Sequence, residues 1–100
     1  MSSIYVDDAK NEFRNMKMCH LFPIPTHSHQ IMELHGMAAM LGLRIEDFQQ
    51  HHYPHYDISQ SLRKKAIELG AKSVTVKDGA KLRRNFKQGK EWWWTINGNN

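Results

Sequence analysis

The chain has one cysteine, three prolines and six scattered glycines in 100 residues. The lone Cys19 excludes an internal disulfide framework and fits a reducing compartment. There is no Cys-x-x-Cys pair and no His-Glu-x-x-His helix, so no strict zinc signature is present. The glycines form neither a Gly-x-x-x-x-Gly-Lys nor a Gly-x-Gly-x-x-Gly pattern, which leaves no phosphate-cradling loop. No apolar run approaches the roughly 18–20 residues of a membrane span. The first residues, Met1 to Asp8, lack a basic segment and meet two acids at once, unlike a signal peptide. These absences predict a cytoplasmic protein with no membrane association. With 40% hydrophobic and 24% charged residues, the chain can bury one modest core in one domain.

Charge is divided unevenly. Residues 63–91 hold ten Lys or Arg against three acids, whereas the rest of the chain has four bases and seven acids. All seven histidines lie between His20 and His55. The basic block suits an anionic partner, nucleic acid or a nucleotide first, or else it is a solvated face. Residues 1–78 are expected to form the core domain and 79–100 a basic, Trp-rich extension.

The expected fold is α/β or α+β, a sheet of three to four strands with two main helices. Ile4-Tyr5-Val6 reads as a first strand and Met18 to Phe22 as a second, stopped by Pro23 and Pro25. Lys10 to Asn15 reads as a polar loop. Ile31, Leu34, Ala38 and Leu41 recur at helical spacing over Ser28 to Leu41, with Thr26 or Ser28 as cap and Gly42 as stop. Arg44 to Gln50 reads as a short helix and His51 to Tyr56 as a loop. Ser59 caps a helix to Leu69, stopped by Gly70. Ser73 to Val76 is β-branched and strand-like, Asp78-Gly79 a turn, and Trp92 to Ile96 a last strand or docked tail.

Asp7 and Asp8 end the first strand, where α/β sheets gather ligands. Because neighbouring strand residues face opposite ways, only one of them can face a given site. Paired acids suit Mg²⁺ or Mn²⁺, and histidines extend the choice to Zn²⁺; the bland alternative is a turn or cap. His20 follows Cys19 in a strand, and His35 borders the apolar stripe of the first helix. His55 and Asp57, two apart, can share a metal, or the Asp can orient the His as a general base. Asp57 can equally serve a helix start. The thiol of Cys19 reads as core rather than nucleophile. Asp8, His20, His35, His55 and Asp57 are therefore the expected catalytic set, with Asp7 as alternate to Asp8. The expected metal ligands are Asp7, Asp8, His35, His55 and Asp57. Arg63, Arg83 and Arg84 are the candidates for binding a substrate phosphate.

Several of these residues share an order and spacing with a known family. Tyr5-Val6-Asp7-Asp8-Ala9, Cys19-His20-Leu21, Glu33-Leu34-His35, Leu41-Gly42-Leu43, Phe48-Gln49, Pro54-His55-Tyr56-Asp57, Arg63, Ala66 and Gly70-Ala71 follow one another in this chain. The pattern resembles that of the family of short bacterial and phage proteins called domain of unknown function 4031, over roughly residues 4–76. The resemblance implies a bacterial or phage origin and places Asp7, Asp8, His20, His35, His55 and Asp57 at signature positions. It brings no activity.

Three functions compete. The first is a metal-dependent hydrolase acting on a phosphoester of a nucleic acid or nucleotide. The second is a non-enzymatic module that holds nucleic acid or an acidic partner through the basic block. The third is a nucleotide or metabolite binder that uses the same pocket without turnover. Convergence of the acids and histidines in one cleft favours the first and third.

Overall fold

The computed structural model describes residues 3–87; Trp92 to Ile96, expected as a last strand or docked tail, and the chain end lie outside the described residues. The fold is mixed α/β. Its strands are β1 (Ile4–Val6), β2 (Asn11–Phe13), β3 (Met16–Pro23), β4 (Tyr56–Ser59) and β5 (Lys72–Ser73). Its helices are α1 (Ser28–Met40), α2 (Gln60–Glu68) and α3 (Val76–Lys87), with a 3-10 turn at Ile45–Asp47.

β3 organises the sheet. Leu21 pairs with both Val6 and Tyr56, and Met18 pairs with both Asn11 and Ser59. A strand has two edges, so β1 and β2 lie in line along one edge of β3 and β4 lies along the other. β1 also pairs with β5 in parallel. The five strands exceed the expected three to four. The additions are β2, in the segment expected to be a loop, and β4, which takes Asp57 out of a loop and into a strand.

Pairing register sorts the side chains between faces, because partners across a ladder point the same way. Ile4, Val6, Cys19, Leu21, Tyr56 and Ile58 share one face and are buried against Leu34 and Ala38 of α1 and Ala66 of α2. Tyr5, His20, Phe22 and Asp57 share the other face.

The helix stops work as their sequence predicts. Gly42 and Gly70 have φ of +83° and +113°, and Leu43 and Ala71 donate N–H back to Ala38 and Ala66. α1 starts differently: His27 occupies its N-cap position, and that position makes no side-chain cap bond.

α3 begins where a strand was expected, and it runs through the expected turn at Asp78-Gly79. Thr75 Oγ1 accepts the Asp78 N–H at 3.0 Å, and Asp8 Oδ1 accepts the Val76 N–H at 2.8 Å. Two free N–H groups of a helix start are thereby satisfied, and this outweighs the β preference of Val74 to Val76. Gly79 lets α3 approach the second face, since a Cβ there would come within 3.1 Å of Phe22 Cζ. Sheet and helices thus form three layers, with α3 opposite α1 and α2. Among the described residues, no helix is long and apolar enough to cross a membrane.

Candidate functional site

Asp7 follows β1 and lies across from His20, continuing the β1–β3 register; its N–H bonds to the His20 carbonyl. Val6 points into the core, so Asp7 points to the opposite face, as does His20 beside Leu21. The Asp7 side chain is completely buried. Its Oδ1 accepts the N–H of Ala9 at 3.1 Å and of His20 at 3.0 Å, and its Oδ2 lies 2.8 Å from His20 Nδ1. Burial alone would raise this carboxyl's pKa. The hydrogen bonds from the His20 ring, His20 N–H and Ala9 N–H outweigh burial and hold it below its ordinary value. An ionised carboxylate only accepts, so Nδ1 carries the proton of the neutral ring and Nε2 the lone pair.

His20 Nε2 lies 3.8 Å from Asp57 Oδ1. The same oxygen is 3.5 Å from His55 Nε2, while Asp57 Oδ2 accepts from Gln49 Nε2 at 2.8 Å. His55 donates its Nδ1–H to the Tyr53 carbonyl at 2.7 Å, which fixes which nitrogen faces Asp57. The His55 contact, ahead of burial acting the other way, holds the Asp57 carboxyl below its ordinary pKa, with His20 and Gln49 adding to it. Asp7, His20, Asp57 and His55 therefore form one chain of acids and imidazoles. His20, Asp57 and Gln49 open into a cleft of about 690 Å³, also lined by Asn11, Glu12, Phe13, Met18, Leu43, Glu46 and Asp47.

The expected set is only partly gathered here. Asp7 occupies the place given to Asp8, which is exposed and caps α3. The reason is strand alternation, since the residue after buried Val6 is the one turned toward His20. His35 lies on the other face of the sheet. Its Nδ1 is 2.8 Å from Tyr56 Oη, and its ring meets Phe48 edge-on at 4.6 Å. Tyr56 shares the core face with Leu21, and α1 packs on that face, so an α1 side chain cannot reach His20 through the sheet. Desolvation lowers the His35 pKa; burial, and then the charge of Asp47, raises that of Tyr56. The expected metal ligands are divided by the same sheet. Among the described residues, no group of three or more His, Cys, Asp or Glu could hold a metal ion.

The arginines are also placed elsewhere. Arg63 donates from Nε to the Asp7 carbonyl and from Nη2 to Ser73 Oγ, both at 2.7 Å, and so ties α2 to the ends of β1 and β5. The Arg83 guanidinium lies 3.9 Å from the Tyr53 ring centre and 4.6 Å from that of Phe22. Tyr53 in turn packs on His55 at 4.5 Å, so α3 braces the back of the histidine cluster. Burial pushes the Tyr53 phenol up to about 12 against the pull of Arg83. Arg84 is exposed. Cys19 is buried, with Sγ 3.6 Å from the Ile58 carbonyl; burial, with the Asp7 charge behind it, pushes the thiol up to about 12, as suits a core residue. Gln49 was missed by the sequence reading. Its one sequence signal is its place in the Phe48-Gln49 pair of the family pattern; the segment reads as a short helix, whereas Gln49 pairs with His55 in an isolated bridge.

A family model described as a protein of unknown function, DUF4031, matches residues 4–86. The chain belongs to this family. The match takes in Asp7, His20, Asp57 and His55, and reaches into α3 through Arg83 and Arg84. The family description assigns no activity. No curated protein and no solved structure matches the chain.

Proposed function

We propose that the chain is a hydrolase in which His20 is the general base. The observation that carries this reading is the 2.8 Å contact of His20 Nδ1 with the fully buried Asp7 carboxylate. A buried acid of this kind fixes tautomer and ring orientation and stabilises the imidazolium formed when Nε2 takes a proton. Water beside Nε2 gives up one proton to it, and the oxygen adds to the electrophilic centre of an ester or amide. The same proton then passes to the leaving group as the scissile bond breaks. Asp57, held by Gln49 and His55, accepts the second hydrogen of the water and orients it.

The expected metal-dependent attack on a phosphoester has less support. Its ligands are split between faces, and Arg63, Arg83 and Arg84 do not line the cleft. A panel of p-nitrophenyl esters, including acetate, butyrate, amino-acid esters and phosphate, assayed with and without chelator tests both versions. Turnover that survives chelator and disappears in His20→Asn supports the proposal. Turnover that is equal in His20→Asn, or absent throughout, removes it. Phosphate-ester turnover restored only by Mn²⁺ or Mg²⁺ returns the metal-dependent version.

A second reading, a nucleic-acid-binding module, is favoured by one observation. Lys77, Lys81 and Arg84 recur at spacings of four and three along α3 and are all exposed. Such a stripe can follow a phosphate backbone. Replacing all three with Gln should reduce the salt dependence of single- or double-stranded DNA binding by a slope of about 2–3. No salt-dependent binding in the intact chain makes the stripe a solvated face.

A further inference from the structure

We infer that the cleft beside His20 receives a protonated amine or guanidinium on an aliphatic stem, not a phosphate. This rests on the reading of His20 as a base with its lone pair on Nε2. The cleft, at about 690 Å³, is of the size that takes a small organic ligand.

The first argument is hydrogen-bond polarity. Asp7 holds the proton of neutral His20 on Nδ1, so Nε2 presents an acceptor, and Asp57 Oδ1, 3.8 Å away, presents another. In the proposed reaction water takes these two acceptors, and an ammonium or guanidinium head beyond it carries several N–H donors for the oxygens of Glu12, Glu46 and Asp47. Phosphate oxygens would face these lone pairs with lone pairs of their own.

The second argument is charge. Glu12, Glu46 and Asp47 line the cleft with Asp57, and among the described residues no Lys or Arg lines it. Lys17 and Arg44 stand 3.8 Å from Glu12 and 3.7 Å from Asp47 in exposed pairs. The Arg14 guanidinium lies 5.2 Å from the ring centre of Phe13, so four carboxylates face three cations. The third argument is shape, for Phe13, Met18 and Leu43 supply apolar wall for a stem between the charged ends. A basic amino-acid side chain or an alkyl polyamine combines these properties, so an ester or amide carrying one is the substrate class.

The test is NMR titration of the full chain with n-butylamine, n-butylguanidine, 1-butanol and n-butyl phosphate, following the His20 imidazole and the Leu43 methyls. The two cations are expected to give saturable shifts at both places. Glu46→Gln combined with Glu12→Gln should weaken them about fivefold, the sum of two exposed charge contacts. Butanol and butyl phosphate should bind more weakly than either cation by at least that factor. Butyl phosphate or butanol binding as tightly as butylamine overturns the inference, as does an unchanged affinity in the double variant or no saturable shift from any probe. Cation binding without hydrolysis of an amine-bearing ester preserves this inference and removes the hydrolase. Ester hydrolysis without cation binding does the reverse.

Discussion

Each face of the sheet holds a histidine with a partner at 2.8 Å, but the partners differ in kind. His20 meets a buried carboxylate, which can only accept, and its far nitrogen opens toward Asp57 and the cleft. His35 meets the hydroxyl of Tyr56, which can donate or accept, and its ring packs against Phe48. The first arrangement fixes a tautomer and leaves a functional atom available. The second satisfies a polar group at the edge of the core. One residue type therefore turns a ring nitrogen toward the cleft on one face and packs at the edge of the core on the other, and the partner's chemistry makes the difference.

The largest expected effect falls on His20. His20→Asn should lower turnover of the best ester in the panel by about 10²–10⁴-fold, the usual contribution of a positioned general base. His35→Gln should leave turnover unchanged. Equal losses in both variants, measured as kcat/KM, would erase the distinction between the faces.

Asp7→Asn comes next. The replacement keeps one acceptor oxygen but puts an amide where the carboxylate held His20, at a fully buried site. Unfolding in urea should show a loss of about 2–3 kcal/mol at neutral pH. Since the folded carboxyl lies below its ordinary value of 3.8, its stabilisation is present above that pH and is lost as pH falls through the folded value. The gap between the two proteins should therefore close in strong acid. A gap that stays constant to the acid limit would mean that the charge of Asp7 contributes nothing.

Much of this contrast was legible in the sequence, and its failures have physical causes. α1 and α2 were readable because apolar residues at helical spacing end at Gly42 and Gly70, which only a left-handed stop requires. Strand alternation was readable only as a choice between Asp7 and Asp8: Asp8 was expected at the site, and Val6 and Leu21 in the core put Asp7 there with His20 instead. What stayed hidden was which face α1 covers. His35 borders an apolar stripe in either case, and only tertiary packing separates it from His20 by the thickness of a sheet. β2 was hidden because all three of its residues are exposed, so no buried face marked it. β4 was hidden because Ser59, its last residue, is also the cap of α2, so strand passes into helix without a loop.

His35 offers a smaller, pH-dependent test. Desolvation lowers its folded pKa from 6.5, so below 6.5 the unfolded chain takes the proton more readily. Stability should fall as pH drops from 6.5 toward the folded value, and His35→Gln should flatten that part of the profile relative to the parent chain. Identical profiles in urea titrations across that range would place His35 in water rather than against Phe48 and Tyr56.

The smallest effect separates the two neighbouring acids. Asp8 differs from Asp7 in standing outside the buried chain, where its oxygen accepts the first N–H of α3. That role needs a short side chain with an acceptor, not a charge. Asp8→Asn should therefore leave stability near that of the parent, while Asp8→Ala should cost about 1 kcal/mol, as for other helix caps. Asp7 should behave oppositely, since its Asn variant already loses the ionised acceptor. α3 carries Arg83 against Tyr53, so the loss in Asp8→Ala should also loosen Tyr53, read as a larger solvent response of its ring signals. An Asp8→Asn protein as damaged as Asp7→Asn would mean that Asp8 works through its charge, and it would return the pair to the joint role that their adjacency in sequence first suggests.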